Sequence, residues 1–181
     1  MSFSIPATIR AHVASLLAPD HRLSCASPLW RSGLAELQRR GGGRRESGAF
    51  LLGKRTDTDV SSRRQVTRFV YYDDLDPHCL DTGVVVFQAL GFGPLWQLCR
   101  ETGLAVVADV HTHPAEARQS DADRRHPMIA TAGHVAIIVP DFAQRAVRGE
   151  ELGLYEYAGA HQWHNHSGDP HCRFFYYGTW G

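Results

Sequence analysis

The residues able to do chemistry concentrate in one segment, HTHPAEARQSDAD, at 111–123. His111 and His113 stand two apart at the end of an apolar run, LAVVADV at 104–110. Alternate side chains of an extended strand share a face, so both imidazoles can converge on one ion. Asp123 lies ten residues beyond His113. Two histidines and a carboxylate make a catalytic zinc set, with a fourth position left for water. Ser120 precedes Asp123 by three residues, so one helical turn brings both to the same side. The structural alternative is that the histidines cap the strand while Asp123 caps a helix or lies on the surface. A hydrolase of this type also needs a base for its water. Glu46, in RRESGAFLLG at the entry to another apolar run, is the best upstream candidate, because an unpaired carboxylate there is costly without a use. Its alternative is a surface ion pair with Arg44 or Arg45.

These residues need elements to position them. Residues 6–18 read as a short amphipathic helix ended by Pro19, and 28–40 as a second helix with a Leu29, Trp30, Leu34 and Leu37 stripe, stopped by Gly41, Gly42 and Gly43. SGAFLLGK (47–54) and QVTRFVYY (65–72) read as a hairpin of strands, and VVVF (84–87) as a further strand. Pro94 opens a helix to about Glu101. Buried strands are expected at 104–110 and 134–140, and three short closing strands at 152–158, 161–166 and 173–177. The fold class is therefore α/β, around one mostly antiparallel or mixed sheet. Residues 1–28 read as a helical extension and 29–181 as the main domain.

Composition narrows the function. With 43% hydrophobic and 21% charged residues over 181, the chain is globular and of one-domain size. Lys+Arg and Asp+Glu both number 19, which argues against nonspecific nucleic-acid binding. The charge is polarised: residues 71–123 carry 2 basic and 9 acidic residues. No apolar run reaches the ~20 residues of a membrane span. Arg10 and His12 interrupt the N-terminal apolar stretch, which reads as no signal peptide and a cytoplasmic protein. Cys25, Cys79, Cys99 and Cys172 form no C-x-x-C pair, so reduced thiols are expected. A second histidine group, His161, His164, His166 and His171, reads as a half-exposed closing strand and turn.

Glu46 before a glycine-containing apolar strand ending at Gly53, then His111-x-His113-Pro114, then Ser120-x-x-Asp123, resembles the JAB/MPN family of JAMM-motif metalloproteases, over about residues 29–158. The resemblance implies a cytidine deaminase-like mixed sheet flanked by helices and one zinc ion per chain. It also implies that His111, His113 and Asp123 bind zinc, that Glu46 handles the water, and that Ser120 helps hold the oxyanion. A glycine often found three after the glutamate is Ala49 here, with Gly48 beside it. HNHSGDP echoes the motif of RadC-like relatives, but no Ser-x-x-Asp follows it. Asp109 could support a ligand from behind or face away. The implied activity is that of an isopeptidase or peptidase cleaving after the C-terminus of a ubiquitin-like protein. This would be a bacterial deconjugase or precursor-processing enzyme, in a pathway with E1- and E2-like partners such as antiphage defence. A sulfur-carrier-processing or small-peptide peptidase is the alternative, and an MPN scaffold the non-enzyme one. The substrate tail is expected to add as a strand at the acidic middle of the chain or at the loop region between Val84 and Gly93, beside the strand at 104–110. Asp73, Asp74, Asp76 and Asp81 would either meet basic residues of the modifier or form a solvated loop. Amidohydrolase barrels also begin with an H-x-H strand, but need more chain than follows His113. A base deaminase would need a P-C-x-x-C segment, which is lacking.

Overall fold

Alternating apolar residues build one sheet with a packed layer on each face. The computed structural model describes residues 21–56, 63–169, 171 and 173–178. The expected helix at 6–18 and Cys172 lie outside the described residues. The strands are β1 (Leu23–Cys25), β2 (Gly48–Thr56), β3 (Arg63–Tyr71), β4 (Ala105–Thr112), β5 (Val135–Val139), β6 (Gly153–Gly159), β7 (Gln162–Asn165) and β8 (Phe175–Tyr176). They lie in the order β7-β6-β5-β4-β2-β3-β1-β8. β4 runs parallel to β5 and β1 parallel to both β3 and β8, while the other pairs are antiparallel. The fold is thus mixed α/β, with helices α1 (Ser27–Gly41), α2 (Tyr72–Leu75), α3 (Phe92–Thr102) and α4 (Asp121–Arg125). No helix among the described residues is long and apolar enough to cross a membrane.

The period of two along β2 divides the core. Ala49 and Leu51 join the cluster around Trp30 and Leu37 of α1, whereas Phe50 and Leu52 join Tyr72 and Leu95 on the other face. Trp30, Gly33 and Leu37 form the buried side of α1, with Leu29 and Leu34 packed at its margin. Pro28 suits the first turn, and Gly42 at φ 59° closes the last with its N–H on the Gln38 carbonyl. In β4, Leu51 pairs with Ala108 and Leu52 with Val106, so Val107 bulges out of register. Beyond that bulge Ala108 and Val110 face α1. Asp109 and His111 face the opposite side, where Tyr72 lies.

Two expectations are corrected. Residues 84–87 form no strand: Val84 and Val86 are 51% and 49% exposed, and the amides of Val85 and Val86 bond to the Glu46 carboxylate and the Cys79 carbonyl. Among the described residues no strand pairs with them, so branched side chains alone do not make a strand. The boundary at residue 28 also falls inside the packed unit. Leu23 and Cys25 of β1 are fully buried between β3 and β8, so this part of the supposed helical extension is sheet. Cys25, Cys79 and Cys99 are free cysteines.

Candidate metal centre

β4 carries His111, and the chain leaves the strand through His113. The antiparallel register places Gly48 opposite His111, which sets Glu46, two residues earlier, beside His113. Ser47 and Thr112 lock this junction. The Ser47 amide donates to Thr112 Oγ1 at 3.0 Å, and the Thr112 amide to the Ser47 carbonyl at 2.9 Å. Gly48 is required by close approach, because a Cβ there would strike the Tyr72 ring and come within 2.9 Å of the Val110 carbonyl.

The second histidine is braced from below. The His113 amide donates to the Val139 carbonyl, and the His113 carbonyl accepts from Phe142 at 2.8 Å. Phe142 lies in a turn where Asp141, Phe142 and Ala143 all have positive φ, at 53°, 51° and 56°. Non-glycine residues hold that conformation only where their surroundings enforce it. Asp123 comes from α4, whose first turn is a capping box. Ser120 Oγ accepts from the Asp123 amide at 3.1 Å, and Asp123 Oδ2 accepts from the Ser120 amide at 2.7 Å.

The ligand atoms meet. His111 Nε2 and His113 Nε2 lie 3.0 Å apart. Asp123 Oδ1 is 3.5 Å from His111 Nε2, and Asp123 Oδ2 is 3.4 Å from His113 Nε2. One donor atom from each of the three residues lies within 4.8 Å of the others, so His111, His113 and Asp123 could hold a metal ion. The structural alternative for Asp123 is also true: the carboxylate caps its helix and faces the histidines at once. Glu46 divides its oxygens. Oε2 accepts from the Val85 amide at 3.0 Å, and Oε1 lies 3.9 Å from His113 Nε2. Among the described residues Glu46 pairs with neither Arg44 nor Arg45, and the Arg45 guanidinium bonds to the Arg40 carbonyl instead. The cavity bounded by Glu46, Val85, His111, Asp123, Met128 and Trp163 holds about 30 Å3, room for a guest of water size.

Electrostatics suit a cation. Burial opposes charge on His111, but the Asp109 and Asp123 carboxylates outweigh it and raise its pKa to about 10. Burial would raise the Asp123 carboxyl, and the two imidazoles with Ser120 override it and hold it well below the usual carboxylate range. Asp109 does not face away. It is 1% exposed, and Tyr72 Oη donates to its Oδ2 at 3.1 Å. His134 Nε2 lies 2.5 Å from Oδ1. Burial raises the Asp109 carboxyl while His111 and His134 lower it, with a lowered net pKa. Tyr72 and His134 were not singled out from the sequence. The available signal was an aspartate inside an apolar strand, which needs buried partners.

Other sequence expectations fall outside the centre. Asp73 and Asp74 close on Arg40 at 2.6 and 2.7 Å. Asp76 is buried and accepts from the Gln88 amide, and Asp81 pairs with His78. Asp73 and Asp74 are thus tied to α1, and Asp76 to the loop before α3. Among the C-terminal histidines, His161 and His164 are exposed, and His166 stacks on Phe174 and bonds to Glu156. Within the described residues they form no metal-holding group.

No known protein-family profile matches the chain. Its fold is similar to the solution structure of a Desulfitobacterium hafniense protein, at 19% identity and a TM-score of 0.54, over 80% of this chain and 90% of that one. A solution structure from Salinibacter ruber matches 77% of this chain and 90% of that one, at 22% identity and a TM-score of 0.46. The first likeness is one of fold alone.

Proposed function

We propose that this chain is a JAMM-type zinc metallopeptidase of JAB/MPN fold that cleaves after the C-terminus of a ubiquitin-like protein. One observation carries the proposal: the two histidines and the aspartate converge beside Oε1 of Glu46, which arrives from the segment leading into β2, 65 residues before His111. Zinc held by His111, His113 and Asp123 would supply Lewis acidity at the scissile carbonyl and make water acidic enough to lose a proton. Glu46 Oε1 takes one proton from the attacking water as its oxygen adds to the carbonyl carbon. The Val85 amide keeps Oε2 engaged, so the base meets the site in one orientation. Ser120 Oγ already accepts from the Asp123 amide, leaving its hydroxyl proton to donate to the tetrahedral oxyanion. Glu46 then returns its proton to the amine nitrogen as the C–N bond breaks, so amide and water become acid and amine.

Val84 and Val86, the exposed neighbours of the Val85 that holds Glu46, offer apolar side chains to an extended tail. A cytoplasmic bacterial ubiquitin-like pathway with E1- and E2-like proteins is the setting this activity fits. The test combines metal analysis with cleavage of a panel of ubiquitin-like proteins fused at their C-termini to a fluorogenic amide. About one zinc per chain and chelator-sensitive cleavage are expected. Under about a tenth of an equivalent after zinc incubation, or zinc-loaded protein that cleaves no fusion, refutes the proposal.

A further inference from the structure

His111 Nδ1 is buried and has no hydrogen-bond partner. It points away from the candidate metal centre, and the nearest carboxylate oxygen there is Asp109 Oδ2, at 3.9 Å. That carboxylate has acceptor capacity to spare. Its Oδ1 takes His134 and its Oδ2 takes Tyr72, which fills two of about four lone-pair sites. An orphan donor and an unfilled acceptor thus face each other across a gap slightly too wide for a bond.

The other end of the ring is crowded, as a pair of ligands waiting to share an ion would be. His111 and His113 Nε2 lie 3.0 Å apart. Two nitrogens on one tetrahedral zinc, each at about 2.0–2.1 Å, stand about 3.3 Å apart. Seating the ion therefore spreads the two imidazoles by about 0.3 Å.

Given that zinc seats on His111, His113 and Asp123 as proposed above, we propose that Asp109 is a positioning residue. It holds the proton on His111 Nδ1 and so presents the Nε2 lone pair to the ion. Tyr72 and His134 are the clamp on Asp109. Tyr72 follows β3 and His134 precedes β5, so the carboxylate is gripped from both sides of β4 and cannot swing into the centre to become a ligand itself. A buried carboxylate behind a histidine ligand also adds negative charge near the dication and raises the basicity of the imidazole.

The alternative is that Asp109 and His134 form a buried pair that only steadies the sheet. Zinc affinity separates the two, because a sheet-steadying pair does not change the affinity of folded protein. Zinc binding to the whole chain is measured by competition with a chromogenic chelator, in wild type and in Asp109→Asn, which keeps the volume but loses the charge. The expected result is affinity about 10- to 100-fold weaker in the variant, with the cobalt-substituted absorption spectrum altered. His134→Asn, which loosens the clamp but leaves Asp109, is expected to weaken zinc in the same direction by a smaller factor. Should Asp109→Asn fail to fold, the proton spectrum of zinc-loaded wild type decides, with the His111 Nδ1 proton expected far downfield and slow to exchange, as a proton bonded to a carboxylate is. Unchanged zinc affinity in Asp109→Asn, or a His111 Nδ1 proton without the shift and exchange protection of a carboxylate bond, overturns the positioning role and leaves the metal site standing. Wild-type protein that binds no zinc overturns both.

Discussion

Glu46→Gln tests the division of labour between the two oxygens of one carboxylate. In the native chain Oε2 holds the Val85 amide at 3.0 Å, and Oε1 lies 3.9 Å from His113 Nε2. Glutamine can keep the first contact through its carbonyl oxygen, so the 82–88 loop stays in place. Exchanging a charged acceptor for a neutral one there costs about 1 kcal/mol, which lowers the melting temperature of a domain this size by about 2–4 °C. The second contact is lost as chemistry, because an amide cannot take the water proton. A positioned base contributes about 10²- to 10⁴-fold, or about 2.7–5.4 kcal/mol of barrier. Glu46→Gln should therefore bind zinc within about threefold of wild type and melt a few degrees lower. Initial rates on the C-terminal fluorogenic amide should fall at least about a hundredfold. Glu46→Ala removes both roles. It leaves the Val85 N–H without its acceptor, a further loss of about 1–3 kcal/mol if the amide stays buried, with the same loss of rate. A zinc-loaded Glu46→Gln enzyme within tenfold of wild-type rate would refute the assignment of the base. A variant that lost zinc as well would show that Glu46 acts on the ion rather than on the water.

Two further outcomes follow from packing and charge. Gly48→Ala drives a methyl group into the buried Tyr72 ring and against the Val110 carbonyl, so denaturant titration should show about 1–3 kcal/mol of destabilisation. Loss of less than about 0.5 kcal/mol would mean that Tyr72 shifts freely and cannot clamp Asp109. Hydrogen bonds from Arg39 lower the Glu36 pKa from 4.5 to about 2, overcoming burial, with Arg40 acting in the same direction. A depressed folded-state pKa gives stability that is complete above the unfolded value of 4.5 and is lost as pH falls toward about 2. The stability gap between wild type and Glu36→Gln should narrow over that window, and a gap constant from pH 5 to pH 2 would contradict the ion-pair account.

The parts of the site that lie close together in the chain were legible from sequence. His111, His113, Ser120 and Asp123 occupy one short segment, and period two for the strand with one helical turn for the cap are enough to orient them. Glu46 was legible only as a costly carboxylate, and its place beside His113 depends on a register fixed by Ser47 and Thr112. The grip on Asp109 was not legible, because Tyr72 and His134 belong to elements whose neighbours are set by the whole sheet order. The same limit hid β1, three residues whose partners Val66 and Phe175 lie far along the chain. It also produced the false strand at 84–87, where composition suggested pairing and the sheet offered none.

The pairing of β2 with β4 sets an order of assembly. The three residues that converge as ligands follow one another within 13 positions of sequence, close enough to gather on an ion early. Glu46 joins them only after a long-range strand pair has closed, and such pairings form late because distant chain must be brought together first. A partly folded chain can therefore hold metal and yet have no base beside it. Under the proposed function, cleavage would wait until the sheet is complete, so the topology itself would delay activity until folding ends.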